Sequence, residues 1–310
     1  MQLITQVKIP GYGLKINHQH KLFLSGSCFV QNIYQKLSDY KFEALHNPFG
    51  TVYNPVSIAK QLNILLGNCN YSPPILVNDA WVSTDFHSSV KAKSKKEFEH
   101  TLNAIIAHTK NYITSANIFI FTFGSAWVYK DTKNNELAAN CHKLPAHLFS
   151  KHLLSIDESK QAIKEIKSII HAVNPDAKFI FTISPVRYIR DGFTENNQSK
   201  GVLHLALKET LTEVDIYFPA YEIVLDELRD YRFFDRDMVH PNALAVDYVW
   251  EKFSHAFFDE KTIVLNKTIE KLNKRLAHKP FNPESEKHQL FIKQTEAELA
   301  LLPEHIRHRF

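Results

Sequence analysis

Residues 22–32 read LFLSGSCFVQN: the apolar run Leu22, Phe23, Leu24 breaks at Ser25-Gly26-Ser27-Cys28 and then resumes. The chain has only eight glycines in 310 residues, so each one answers a backbone need. A strand that stops on Gly-Ser and passes into a helix aims free backbone N–H groups at whatever lies above the serine, because the first turn of a helix leaves its donors without partners. That makes Ser27 a candidate nucleophile. Cys28 competes with it, since a thiol near a helix N-terminus can be acidified, but cysteine is also a common small buried residue and the neighbour pattern favours Ser27.

Outward from this corner, short apolar runs alternate with longer helical patterns, as expected of an α/β fold with a parallel sheet wrapped by helices. The clearest strands are LFLS (22–25), NIFIFTFG (117–124), AKFIFTIS (177–184) and VDIYFPA (214–220). They are apolar on both faces, as strands buried on both sides are. Phe119, Phe121, Phe179 and Phe181 therefore read as core. Residues 94–111, 157–173 and 196–212 carry helical spacing with polar faces. Gly26 and Gly124 each end a strand, and Gly50 sits in the turn-rich HNPFGTVYNP. In an open α/β sheet the crevice outside the strands' carboxyl ends is where ligands bind, and Gly26 and Gly124 both fall there.

Bulk composition excludes several classes of function. At 44% hydrophobic residues the chain can bury a full core without disulfides or metals. Its 37 basic and 33 acidic residues nearly cancel, with no basic stripe beside the aromatics, so no nucleic-acid surface is expected. The three cysteines, Cys28, Cys69 and Cys141, share no metal-type spacing. No cofactor or metal is called for. No secretion signal or run long enough to span a membrane is evident, so a cytoplasmic setting without membrane partners is expected.

A serine hydroxyl attacks only when a neighbouring base takes its proton. Asp237-Met238-Val239-His240-Pro241 offers a base and its orienter within one turn. The aspartate can fold back to hold His240 in the tautomer whose other nitrogen accepts a proton. Pro241 disfavours helical geometry at His240 and suits the first position of the helix expected in the residues that follow.

The order of these features resembles the SGNH hydrolase superfamily, and GSCFV at 26–30 resembles its GSCFA-domain family. The likeness continues through NPFGTVYNP (47–55), WVSTDFHSS (81–89), FTFGSAWVY (121–129), SPVR (184–187), NNQSK (196–200) and DMVHPN (237–242). It covers roughly residues 20–258. The resemblance implies a flavodoxin-like three-layer α/β/α sandwich and attack of Ser27 on an acyl carbonyl, with Asp237 and His240 completing a triad. It further implies an oxyanion hole from Ser27, Gly50 and a third-block asparagine. This chain has Gly124-Ser125-Ala126-Trp127 where Gly-x-Asn-Asp is usual, leaving Asn54, Ser125 or the backbone near Gly124 as substitutes. Such a donor is worth about 3 kcal/mol of transition-state stabilisation.

Trp81, Asp85 and His87 form a polar, aromatic cluster in an expected loop, where binding residues concentrate. Arg187 follows a strand end and could clamp an anionic group. These four are the expected substrate contacts. Residues 1–258 read as the catalytic domain and 259–310 as a helical extension, in which Leu265, Ile269, Leu272 and Leu276 make an apolar stripe that could pack on the domain or on a second copy. The function expected is that of a serine esterase or acyltransferase acting on an O-acyl ester, such as that of an O-acetyl carbohydrate. The alternative is a catalytically degenerate relative that binds a small ligand or partner.

Overall fold

The computed structural model describes residues 5–310. Its centre is a five-stranded parallel sheet. The strands are β1 (Lys21–Gly26), β2 (Glu43–His46), β5 (Ile118–Phe123), β9 (Lys178–Ile183) and β10 (Ile216–Tyr217). A hairpin of β3 (Ile75–Val77) and β4 (Ala80–Val82) lies between β2 and β5 in sequence. An antiparallel sheet of β6 (Trp127–Asp131), β7 (Leu137–Ala138) and β8 (Phe149–Leu153) follows β5. The helices are α1 (Phe29–Asp39), α2 (Pro55–Leu66), α3 (Lys95–Ile113), α4 (Ile156–Val173), α5 (Phe193–Thr210), α6 (Ala220–Glu222), α7 (Ala243–Phe257), α8 (Glu260–Leu276), α9 (Glu286–Ala300) and α10 (Glu304–Arg307).

The central strands lie in the order β10-β9-β5-β1-β2, all parallel. Numbered within that sheet the order is 2-1-3-4-5, the flavodoxin-like arrangement, and its switch point lies between β1 and β5. Strand alternation sorts the side chains into two layers. Phe23, Phe119, Phe121, Phe123, Phe179 and Phe181 face one way, against α2, α3, α4 and α5. Leu22, Leu24, Ile118, Ile120, Ile180 and Ile216 face the other, against α1 and α7. Neighbouring rings on the aromatic side stand 5.6–6.4 Å apart, each pair worth roughly 0.5–1.5 kcal/mol beyond its buried area.

The expected strand at 214–220 contracts to two residues: Asp215 is still bonded into a turn on Thr212 O, and α6 begins at Ala220. The later helices carry a small cluster of their own, in which Ile269 and Leu272 of α8 meet Leu302 and Ile306. The apolar stripe is thus largely spent within the chain, although Leu276 stays exposed. Arg309 reaches back to Glu43 Oε2 at 2.7 Å and to the carbonyl oxygens of Lys41 and His18, and Asn273 donates to Asp39 O at 2.7 Å. Among the described residues no helix is long and apolar enough to cross a membrane.

Candidate active site

The site is assembled at the carboxyl ends of β1, β5 and β9. Gly26 terminates β1 at φ +144°, in backbone space closed to L side chains. A methyl there would stand 2.1 Å from Thr122 O on β5, so the residue also permits close strand approach. The chain then turns through Ser27 to Cys28, which occupies the cap position of α1.

This turn sends the two candidate nucleophiles in different directions. Ser27 is 1% exposed, and its Cβ lies 3.0 Å from where a side chain on Gly124 would begin. Its N–H donates to Thr122 O at 3.0 Å, and its hydroxyl oxygen accepts weakly from Phe29 N at 3.4 Å. Among the described residues no hydrogen bond joins Ser27 to His240. The expected Ser27–His240 contact does not appear: Ser27 sits just past the end of β1, its N–H bonded to β5 and its Cβ against Gly124. Cys28 is half-buried. Its backbone N–H meets no carbonyl acceptor among the described residues. Burial pushes the Cys28 thiol up, the Lys200 charge and the N–H groups of Cys28 and Phe29 pull it down, and the Asp237 charge raises it again. Cys28, Lys200 and Asp237 therefore share one electrostatic neighbourhood.

The segment 237–242 behaves as its spacing suggests. Asp237 Oδ2 meets His240 Nδ1 at 2.6 Å, while Asp237 Oδ1 accepts from Val239 N at 2.9 Å and His240 N at 3.0 Å. These bonds, led by the His240 N–H, bring the Asp237 carboxyl down to about 2. The imidazole proton is thereby assigned to Nδ1, leaving Nε2 to accept. Met238 takes a left-handed φ of 59° to close the turn. Pro241 stands two places before the first helical position expected of it: Asn242 is the cap of α7, accepting from Ala245 N while donating to Arg232 O and Phe234 O. Both side chains of the dyad are open to solvent, at 47% for His240 and 50% for Asp237.

The expected oxyanion donors are occupied. Gly50 donates to Asn47 O at 2.7 Å, and Gly124 and Ser125 both donate to Tyr53 O, at 2.7 and 3.0 Å. The Asn54 side chain caps α2 by accepting from Ser57 N, with its amide on Trp127 O. Ser125 Oγ is tied to Ser199 and Trp127 N. With Ser27 N–H also spent, all five expected donors act as scaffold, holding the loops after β1, β2 and β5 together. The free N–H at this corner is that of Cys28.

NNQSK supplies a support that sequence reasoning missed. Asn196, Ser199 and Lys200 are buried on α5, in step with Leu203, Ala206 and Leu207. Asn196 accepts from Tyr188 N, Ser199 accepts from Ala126 N at 2.7 Å, and Lys200 Nζ donates to Gly124 O and Ser184 O, both at 2.7 Å. Lys200 is 2% exposed and meets no carboxylate among the described residues. Burial brings its ammonium down to about 7. The available signal was polar residues lying on an apolar helical stripe.

The expected substrate contacts are not gathered here. Trp81 pairs across β4 with Ala92 and packs on the aromatic core. Asp85 is buried, paired with Lys60 and accepting from Ser72 N. His87 packs against Gly50, whose φ of +79° and missing side chain make room for it. Of the three only His87 touches the loop 47–55, its N–H donating to Phe49 O at 3.0 Å; Asp85 ties the segment to α2 instead. Arg187 lies half-buried with its charge on Tyr221. The cleft beside the corner, of about 550 Å³, is lined instead by Tyr53, Trp127, Tyr129, Asn140, Tyr188 and Arg190 among others. Tyr53 links it to the corner, since its phenol, raised chiefly by burial, also feels Cys28 and Tyr188. Among the described residues no group of three or more His, Cys, Asp or Glu side chains converges as metal ligands would.

The GSCFA family profile matches residues 21–253, and that of the C-terminal domain of GSCFA domain proteins matches residues 269–308. No curated protein matches the sequence. Among solved structures, a carbohydrate esterase family 3 protein from Talaromyces cellulolyticus aligns at 11% identity and TM-score 0.38, over 80% of this chain and 98% of that one. An acetyl esterase mutant with acetate ion aligns at 12% identity and TM-score 0.36, over 81% and 99%. Likenesses this distant say nothing of this chain's chemistry.

Proposed function

The chain belongs to the GSCFA family, and from that premise we propose that it is an esterase, or an acyltransferase where an alcohol competes with water, working by covalent catalysis on an O-acyl ester. The observation that carries this reading is the Asp237–His240 bond of 2.6 Å. It orients an imidazole whose second nitrogen is left to accept a proton, and the Asp237 charge is felt at Cys28 on the N-terminus of α1. His240 is the base, Asp237 its orienter, and the nucleophile comes from the Gly26-Ser27-Cys28 corner. The cleft favours a polyhydroxylated alcohol half: Tyr53, Trp127, Tyr129 and Tyr188 offer flat apolar faces, and Asn140 and Arg190 offer hydrogen bonds.

The test is turnover of short- and long-chain nitrophenyl esters and of an acetylated xylose, by the unaltered chain and by His240→Ala. Measurable hydrolysis that falls about 10³-fold or more without the imidazole is the expected result. A second reading, binding without turnover, is favoured by the occupied oxyanion donors. It wins if no ester is consumed while the acetylated sugar raises the melting temperature.

A further inference from the structure

We infer that the attacking atom is the sulfur of Cys28 and that the covalent intermediate is a thioester, a proposal that rests on the acyl-transfer reading above. Three observations converge on the thiol. Ser27 is closed in between β1 and β5 with its N–H spent, whereas Cys28 stands half-open at the cap of α1 with its N–H unspent. An oxyanion formed on an acyl group bound to Cys28 therefore meets a donor from the same residue, which one on Ser27 does not. The charges of Lys200 and Asp237 both fall on Cys28, so the dyad's loop and the corner share one neighbourhood.

The third observation is the buried cation. Lys200 Nζ satisfies two carbonyl groups, leaves one of its three hydrogens over, and has no carboxylate partner among the described residues. A buried amine without a counter-ion is favoured in its charged form by an anion that arises near it in the working cycle. A thiolate at Cys28, or the oxyanion it generates, is that anion. Lys200 is in this sense a positioning residue: it fixes the loops at Gly124 and Ser184 and favours negative charge at the corner.

The step balances without a redox partner. His240 Nε2 takes the thiol proton as sulfur bonds to the acyl carbon. The bond from that carbon to the alcohol oxygen breaks, and the proton passes from His240 to the departing alkoxide. Water then gives a proton to His240, its oxygen bonds to the acyl carbon, the carbon–sulfur bond breaks, and the proton returns to sulfur. Because burial keeps the thiol protonated at rest, the base acts as substrate arrives and no standing ion pair is required.

Two measurements on the full-length chain decide it. The unaltered protein is quenched during turnover of nitrophenyl acetate, and the acyl adduct is mapped by peptide mass spectrometry. An adduct on Cys28 that neutral hydroxylamine removes is expected, with at least a 10³-fold loss of turnover in Cys28→Ala. An adduct on Ser27 that resists hydroxylamine overturns the inference and leaves the esterase reading intact. The second measurement needs no turnover: iodoacetamide alkylation of Cys28 at pH 7 should slow about tenfold in His240→Ala, while exposed Cys69 reacts at an unchanged rate. Equal Cys28 rates in the two proteins overturn the inference. Absence of ester turnover removes the esterase reading and the thioester with it, while His240-dependent alkylation then still marks Cys28 as the atom that His240 activates.

Discussion

The corner at residues 26–28 and the turn at residues 237–240 contribute to one site and are built in opposite ways. At the corner Gly26 and Ser27 are fixed by neighbouring strands and loops: Gly26 N–H on Asn47 Oδ1, Ser27 N–H on Thr122 O, and Val52 N–H on Gly26 O. The turn is held by its own atoms, since all three of Asp237's bonds fall within three residues of it, and its side chains stand half in water. The sheet thus dictates where an acyl group can be attacked, and a local turn supplies the proton chemistry. Damage to the first should cost the fold; damage to the second should cost only the reaction.

The most severe way to break this contrast is Gly26→Ala. With φ at +144° and Thr122 O 2.1 Å from the added methyl, β1 and β5 must part. The expected destabilisation, more than about 4 kcal/mol, is at the extreme for single substitutions and is read by urea unfolding. Normal stability would mean that the corner is less fixed than its bonds indicate. Next comes Asp237→Asn, which keeps an oxygen for the two backbone donors but loses the charge and the tautomer control. Turnover should fall about 10³-fold or more with the melting temperature unchanged. A parallel loss of both would show that the turn is structural.

Lys200→Met sharpens the comparison from the buried side. The folded ammonium titrates near 7, below its ordinary 10.5, so between those values the unfolded chain holds more protons and stability rises with pH. The unaltered chain should gain up to about 1.4 kcal/mol per pH unit between pH 7 and 9 relative to the variant. Parallel stability curves for the two proteins would mean that Lys200 carries no such cost.

What was legible in the sequence follows the same division. β5 and β9 are readable because burial on both faces leaves unbroken apolar runs. β2, a four-residue edge strand of mixed character, and the antiparallel strands WVYKD and FSKHL, half in water, give no such run. Asp237 and His240 are legible because their bond spans three residues. Which of Ser27 and Cys28 is closed in is not, since it turns on the backbone torsion at Gly26. Lys200 answers to carbonyl groups 76 and 16 residues away, which no local pattern announces. Asp85 has the look of a loop residue, yet its partner Lys60 on α2 makes it a buried brace.

The clasp at Arg309 has a consequence for the order of folding. Its bonds to His18, Lys41 and Glu43 span 291, 268 and 266 residues, and Asn273 spans 234 to reach Asp39. Contacts so distant along the chain recover little until their loops have closed, so they form after the parallel ladder has set. They also border β2, the outermost strand, whose far edge has no ladder partner among the described residues. Until the clasp shuts, that edge is a ready template for a foreign strand.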